Sequence, residues 1–133
     1  MPLAHGERVF GRWEYIRYFM DNSIQVIQPD IGNAGGITET KRICDMAYTF
    51  DVGVQIHTCA SHLLTPPSVQ LEACIPNFVI HEQHMRSKNP SNQELTAKVV
   101  MPKNGYLDVT DDIGIGNEWS DKALASEDQI TLN

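Results

Sequence analysis

The sequence predicts an α/β fold in which parallel strands alternate with helices. Four short apolar runs have the length expected for strands, and they lie at residues 2–7, 24–29, 52–57 and 78–82. Three stretches between them carry apolar residues at helical spacing, at residues 12–22, 38–51 and 65–74. Strands that are joined by helical crossovers run parallel with right-handed connections, so we expect one parallel sheet.

Composition places the chain among ordinary globular proteins. Of its 133 residues, 41% are hydrophobic and 20% are charged, and the formal net charge is -7. This acidic balance argues against binding to nucleic acid or to an anionic membrane, because both require dense basic patches. No apolar run approaches the ~20 residues of a membrane span, and the N-terminus does not resemble a signal peptide. The cysteines lack CxxC spacing, so we expect a cytoplasmic protein without disulfides.

The first strand–helix unit begins almost at the N-terminus. The run at residues 2–7 has hardly any lead-in, as in a truncated chain, and it ends at Glu7. The helix that follows carries an apolar stripe that comprises Trp13, Ile16, Phe19 and Met20. We expect Trp13 and Phe19 to lie in the core, together with Phe50 of the second helix.

The second and third units repeat this order. The second strand ends at Asp30, and a glycine-rich turn leads into a helix that Thr38 is expected to cap. The third strand ends at His57. The dipeptide Pro66-Pro67 then predicts a helix start, because proline is pre-shaped for the first helical position.

Beyond the fourth strand the alternation of strands and helices stops. Residues 83–97 are expected to form a loop or an irregular helix, and Lys103-Asn104-Gly105 predicts a hairpin turn. The polar tail has room for one helical turn or more. The expected single domain thus comprises strand–helix repeats over residues 1–82, and a loop, hairpin and tail over residues 83–133.

Four ionisable residues end the four predicted strands, one strand–helix unit apart, and they are Glu7, Asp30, His57 and Glu82. The carboxyl ends of parallel strands share one edge of a sheet, where α/β enzymes build their active sites. Each residue alone has an ordinary explanation, such as a helix cap or a hydrogen-bonded structural histidine. Four such accidents at matched positions are much less probable than one, so a functional site is favoured.

These residue types suit proton transfer beside a carboxylate. An imidazole with a pKa of ~6.5 exchanges protons at neutral pH, and a neighbouring carboxylate fixes its tautomer. Asp30 is therefore the expected partner of His57. A further acid can ligate a hard cation such as Mg²⁺, and another can hold a substrate oxygen on which negative charge develops.

Two other interpretations of the polar residues stay open. A zinc site could draw on residues near the third and fourth strands, namely His57, Cys59, His62, His81 and His84. Their spacing fits no compact zinc motif, which makes this interpretation the weaker one. Arg8 and Arg12 could bind a substrate carboxylate, although solvated residues at a helix start are more common.

Five segments of the chain resemble the enolase superfamily, in its mandelate racemase/muconate lactonizing enzyme branch. They read PLAHGERVFGRWEY, IQVIQPDIGNAGGITETKRICDMA, VQIHTCASH, NFVIHEQ and NGYLDVTDDIGIG. The second is the most specific, since Gln-Pro-Asp followed by Ala-Gly-Gly-Ile-Thr-Glu is close to a signature. Within this branch the chain is most similar to the acid-sugar dehydratases of galactonate type, which are lyases.

The resemblance implies the C-terminal half of a TIM-type (β/α) barrel, with strands five to eight followed by a hairpin and tail. It implies that Glu7 is a metal ligand and that Asp30 and His57 form an acid/base dyad. The implied reaction removes a proton next to the carboxylate of a sugar acid and forms an enediolate on Mg²⁺. A β-hydroxyl then leaves as water.

The resemblance also assigns substrate contacts. It implies that Glu82 is a third catalytic residue, which contacts the substrate carboxylate or the enediolate. Asn33 and His84 are the expected further substrate-binding residues. Some relatives carry histidine where this sequence has Asn33, so the identity of the sugar acid stays open, as does epimerase, racemase or cycloisomerase activity.

The family's first four strands, its second base and its other two metal ligands have no counterpart in the sequence. A complete barrel takes ~250 residues. We therefore expect the isolated chain to hold Mg²⁺ weakly or not at all and to be inactive or feeble. The alternative is a non-catalytic half-barrel that forms a homo-oligomer or associates with a missing N-terminal half.

Overall fold

The computed structural model describes residues 1–126 and confirms an α/β fold with parallel strands. Its sheet has three strands in the order β1–β2–β3, and these are Ala4–His5, Val26–Ile27 and Gly53–Val54. Both pairings are parallel, with Ala4 opposite Val26 and Val26 opposite Gly53. The order of strands in the sheet is the order along the chain, and each pair is joined by a helical crossover.

The three predicted crossover helices are present. They are α1 at Gly11–Met20, α2 at Gly36–Thr49 and α3 at Thr65–Glu72. Prolines occupy the first positions of α3, as the sequence predicts. Helices α1 and α2 pack against each other, and α2 also contacts β3 and α3, so the helices cover the sheet in sequence order.

The predicted strands are too long, and the fourth is wrong as a strand. Only a parallel bridge between Val54 and Phe78 remains of it. The Val54 N–H donates to Asn77, and the Val79 N–H donates to Val54, before the ladder ends. This run has a partner on one side only, and Val79 and Ile80 are 54% and 58% exposed. Little apolar burial is therefore available to extend the pairing.

The buried face of α1 differs from the predicted stripe. Tyr15 and Phe19 are buried, whereas Trp13 is 73% exposed and lies under the Arg12 guanidinium, 4.4 Å from the ring centroid. Tyr15 turns this face inward because its ring packs in the core while its hydroxyl donates to a backbone carbonyl. The prediction that Phe50 lies in the core is also wrong, because Phe50 is 38% exposed and stacks on Phe19 at 5.5 Å between ring centroids.

The start of α2 also differs from the prediction. Thr38 is exposed and does not cap the helix, which begins two residues earlier, at Gly36. Gly35 precedes it with φ 112°, a left-handed conformation that side chains disfavour, so the glycine pair sets the helix start. The first turn gains one side-chain bond where Thr40 Oγ1 donates to the Gly36 carbonyl.

Past the sheet, the chain is irregular, as expected. A 3₁₀ helix at Met85–Lys88 and a short α4 at Pro90–Gln93 replace a regular crossover. Lys103 and Tyr106 exchange backbone hydrogen bonds of 2.8 and 3.0 Å across Asn104-Gly105, both with positive φ, which confirms the hairpin turn. The tail forms α5 at Asp121–Ser126, and the rest of the predicted tail, residues 127–133, lies outside the described residues.

The hydrophobic core lies between the sheet and the first two helices. Its fully buried side chains include Tyr15, Ile27, Ile43, Val54 and Ile56. Cys44 belongs to this core, where burial raises the pKa of its thiol to about 12. All three cysteines are free, as predicted. Within residues 1–126, no helix has the length and apolar character that crossing a membrane requires.

A buried acid–imidazole pair joins α3 to the chain after Phe78. Glu72 is buried at the end of α3, and its Oε2 lies 2.7 Å from His81 Nδ1. Loss of water around the carboxyl raises the pKa of Glu72, and the hydrogen bond and charge of His81 oppose this rise. The pair anchors a segment that has almost no backbone ladder of its own.

We expect Glu72→Gln to flatten the dependence of stability on pH. The folded-state pKa of Glu72 is raised above its ordinary value of 4.5, so the folded protein holds this proton more tightly than the unfolded chain. The resulting stabilisation is complete below pH 4.5 and is lost as pH rises through the folded-state value. Glutamine cannot ionise, so urea unfolding between acid and neutral pH should show a smaller decline than in the wild type.

Glu118→Gln is the matched control for this measurement, because Glu118 is exposed. It should leave the pH profile of the free energy of unfolding unchanged. Parallel profiles for Glu72→Gln and the wild type would contradict a raised pKa at Glu72.

Candidate active site

The strand ends bring three of the predicted site residues into direct contact. His57 Nδ1 lies 2.8 Å from Asp30 Oδ2, and His57 Nε2 lies 3.0 Å from Glu7 Oε2. The backbone sets this geometry, because the His57 N–H donates to the Pro29 carbonyl at 3.0 Å, beyond the last paired residues of β2 and β3. The imidazole thus lies between two carboxylates.

Asp30 divides its two carboxylate oxygens between two tasks. Oδ1 accepts hydrogen bonds from the backbone N–H groups of Gly32 at 2.7 Å and Asn33 at 3.2 Å. Oδ2 is left to face His57. Such a turn follows from an aspartate next to a glycine-containing loop, since its side chain can bond the backbone two residues on. Asp30 therefore both holds the turn and orients the ring.

Glu7 is positioned by the close contact between the preceding residue, Gly6, and Tyr15. The Gly6 carbonyl accepts from the buried Tyr15 hydroxyl at 2.7 Å and from the Val9 N–H at 3.0 Å. Gly6 has φ 147°, and a Cβ there would lie 2.7 Å from the Tyr15 hydroxyl, so a side chain does not fit. Burial raises the pKa of Tyr15, which keeps its hydroxyl protonated as the donor.

Glu82 lies at the same rim but on a different neighbour. Its Oε2 accepts from the Thr58 N–H at 3.1 Å, and the Thr58 hydroxyl donates to the Glu82 carbonyl. These two bonds fix Glu82 beside the residue that follows His57. Among the described residues, no hydrogen bond or ion pair joins Glu82 to His57 itself.

The two predicted substrate-binding residues differ in position. Asn33 lines the cavity above His57, and its side-chain amide lies 3.4 Å from the Glu7 carbonyl, to which it donates. His84 does not line that cavity, and its Nδ1 accepts from the Arg86 N–H at 3.0 Å. Asn33 therefore lies at the site, whereas His84 caps the start of the 3₁₀ helix.

A cavity of about 610 Å³ opens over the three contacting residues. Its wall includes Glu7, Asp30, Asn33, His57, Arg8 and Arg86. Sequence reasoning weighed Arg8 as an anion contact but missed Arg86, which comes shortly after the fourth predicted strand. The position of Arg86 shortly after this predicted strand is the one feature of the sequence that could have indicated a place at the site.

The residues present do not complete a metal site. Asp30 uses both of its oxygens, so Glu7 is the remaining carboxylate next to His57. Across the part of the chain that the structure describes, no group of three or more His, Cys, Asp or Glu side chains is placed to hold a metal ion. Mg²⁺ requires more oxygen ligands than one glutamate supplies.

The predicted zinc cluster is also not assembled. His57 contacts two carboxylates, His62 bonds the Ser87 carbonyl through Nε2 at 3.0 Å, and His81 bonds Glu72. Each ring therefore has its own partner, and the zinc interpretation is wrong for these residues.

The arrangement is suited to moving a proton at His57 Nε2. Asp30 bonds Nδ1 and thereby orients the ring so that Nε2 is the other nitrogen available for proton transfer. Each ring nitrogen thus lies within hydrogen-bonding distance of a carboxylate oxygen. The cavity beside the ring is lined by acidic, polar and cationic side chains.

Known proteins of similar sequence carry the same kind of domain. The family described as enolase C-terminal domain-like matches residues 1–123. A D-galactonate dehydratase from Pectobacterium atrosepticum is 34% identical over 100 residues, which make up 75% of this chain and 26% of that enzyme.

Solved structures agree with this match. A member of the enolase superfamily from Salmonella Typhimurium has a TM-score of 0.95 at 42% identity, covering 100% of this chain and 34% of that chain. A candidate galactarate dehydratase from Agrobacterium radiobacter, with bound Na and L-malate, has a TM-score of 0.84 at 31% identity, covering 99% and 37%. This chain spans about a quarter to just over a third of the length of these proteins. It belongs to the enolase C-terminal domain-like family, in the mandelate racemase/muconate lactonizing enzyme branch of the enolase superfamily.

Proposed function

We propose that this chain supplies the acid/base half of the active site of an acid-sugar dehydratase. The observation that carries the proposal is the His57 imidazole held between Asp30 and Glu7 at the mouth of a cavity. A histidine oriented by a carboxylate can transfer a proton at neutral pH, which is the chemistry that removal of a proton next to a carboxylate needs.

The names of similar proteins support the substrate class. One relative is a D-galactonate dehydratase, and one structural neighbour is a candidate galactarate dehydratase with L-malate bound. Both sugar acids carry a hydroxyl next to the carbon that bears the acidic proton. In the proposed reaction His57 transfers protons at Nε2, Asp30 orients the ring, and the β-hydroxyl departs as water.

The other predicted residues have supporting roles in this proposal. Glu82, held by Thr58 at the rim, contacts the substrate as charge develops on it. Asn33 faces the cavity and binds a substrate hydroxyl, whereas His84 acts on the substrate only through the turn that it caps. Glu7 is proposed as one Mg²⁺ ligand, and by itself it makes a weak site.

We expect the 133-residue chain alone to give no measurable turnover of galactonate or galactarate in the presence of Mg²⁺. The single Glu7 carboxylate, which already contacts His57, cannot hold the cation firmly, so calorimetric titration with MgCl₂ should show weak, unsaturated binding. Turnover is measured as the appearance of the keto acid product. Efficient formation of this product by the chain alone would contradict the expectation.

We expect Asp30→Asn to switch the tautomer of His57. The Gly32 and Asn33 N–H groups require an acceptor, so the amide oxygen should occupy the place of Oδ1. The amide NH₂ then replaces Oδ2 and donates to Nδ1, which forces the proton of the neutral ring onto Nε2. Nitrogen-15 NMR of the histidine ring measures this switch directly.

Asp45→Asn is the control, because Asp45 is exposed and, within residues 1–126, its carboxylate pairs with Lys41 alone, on the surface of α2. It should leave the His57 ring signals unchanged. An Asp30→Asn protein that is folded by circular dichroism and keeps the wild-type ring signals would show that Asp30 does not set the tautomer.

We further propose, as a second function, that the chain forms a homo-oligomer through its sheet edges. Val79 and Ile80 expose apolar side chains beside the sheet, and Phe78 next to them is 43% exposed. At the opposite edge, β1 pairs with β2 and has no second partner strand in the described part of the chain. Open strand edges with apolar side chains favour pairing with another chain, and a second copy offers both edges.

We expect light scattering to give a mass above the 14.9 kDa of one chain, rising with concentration. Ile80→Lys should return the mass to that of one chain, because a charge at the edge opposes burial there. The control is Ile113→Lys, since Ile113 is 99% exposed and belongs to no strand, so its replacement should leave the mass unchanged. A wild-type mass that stays at one chain at high concentration would rule the proposal out.

A further inference from the structure

The cavity over His57 carries a cation that the proposed reaction has not used. Arg86 lines this cavity together with Glu7, Asp30 and His57. Arg8, which also lines it, has Nε 3.7 Å from Glu7 Oε1. Among residues 1–126, by contrast, no carboxylate forms an ion pair with the Arg86 guanidinium. An unpaired guanidinium in a cavity lined by both acidic and cationic side chains is placed to receive an anion from outside.

The backbone around Arg86 is held firmly, although the side chain is exposed. Its N–H donates to His84 Nδ1 at 3.0 Å. The next residue, Ser87, is buried, and its carbonyl accepts from His62 Nε2 at 3.0 Å and from Gln93 Nε2 at 3.1 Å. His62 is itself almost fully buried. The turn is therefore anchored to the interior, which lowers the entropy lost when the arginine orders on a ligand.

The two arginines of the cavity lie in segments at opposite ends of the sheet order. Arg8 follows β1, the first strand, and Arg86 follows the bridge at Phe78, which is the last pairing. A ligand over His57 therefore has a guanidinium near each end of the row of strand ends. A guanidinium binds a carboxylate through two parallel hydrogen bonds, so this arrangement fits an acid with a carboxylate at each end.

We propose that Arg86 binds the substrate carboxylate remote from the reacting carbon, so that the preferred substrate is a sugar diacid. The inference rests on the proposed dehydratase function and adds the class of sugar acid to it. Arg86 is a specificity-determining residue in this assignment, and His57 remains the group that moves the proton.

Galactarate and galactonate test the proposal, because they share the sugar chain and differ in having two carboxylates or one. Binding of each to the 133-residue chain is followed by NMR titration of backbone amides around the cavity, with the His57 ring as a second reporter. We compare the wild type with Arg86→Gln, Arg86→Lys and Lys88→Gln. Lys88 is an exposed cation on the same 3₁₀ helix that does not line the cavity, so it controls for net charge.

We expect the wild type to bind galactarate more tightly than galactonate, and Arg86→Gln to weaken galactarate binding by about tenfold because a charged hydrogen-bonded contact is lost. Galactonate binding should change much less. Arg86→Lys should recover part of the loss, since lysine keeps the charge but not the paired hydrogen bonds. Lys88→Gln should match the wild type.

Two results would overturn the inference in distinguishable ways. If the wild type binds both acids and Arg86→Gln weakens them equally or not at all, Arg86 does not read the remote carboxylate, and the dehydratase proposal stands. If neither acid binds or moves the His57 ring signals, the proposed function fails and the role of Arg86 fails with it.

Discussion

The hydrogen bond between Asp30 and His57 is the interaction on which the site depends. It spans 2.8 Å between residues that lie three positions beyond neighbouring parallel strands, so it depends on the observed register of β2 and β3. A slip of one residue would turn each side chain to the opposite face of the sheet. The same register brings Glu7 to the far side of the ring. Fold and chemistry are thus joined at a single contact.

Side chains, more than strand pairing, fix the rim of the sheet. Regular pairing covers two residues in each strand, and the run after Phe78 has a single bridge. Thr58 holds Glu82 through its N–H and its hydroxyl, and Glu72 holds His81. The Thr58–Glu82 bonds join residues 24 positions apart, and the Glu72–His81 bond ties the end of α3 to the segment after Phe78. Polar contacts of this kind add orientation where burial is modest.

Local patterns were sufficient to predict the three crossover helices and the first three strands, whereas the fourth predicted strand is reduced to one bridge. Asp30 and His57 could be paired in advance because parallel topology alone places neighbouring strand ends side by side. The exposure of Trp13 could not be predicted, because the orientation of α1 depends on a hydrogen bond from the Tyr15 hydroxyl to the distant Gly6 carbonyl. This bond places Tyr15 in the core and leaves Trp13 exposed. Arg86 was missed because buried contacts of the next residue bring it to the cavity, and no local pattern encodes those contacts.

Tyr15 belongs both to the hydrophobic interior and to the support of Glu7. Its ring stacks on Phe19 at 6.2 Å between centroids, and its hydroxyl bonds the Gly6 carbonyl at 2.7 Å. A shift of the ring by a fraction of an ångström would lengthen that bond and move the peptide that carries Glu7. A substitution of an apolar core residue that contacts Tyr15 would therefore shift Glu7 without any change in charge. In this protein, the packing of the interior therefore affects the orientation of the Glu7 carboxylate.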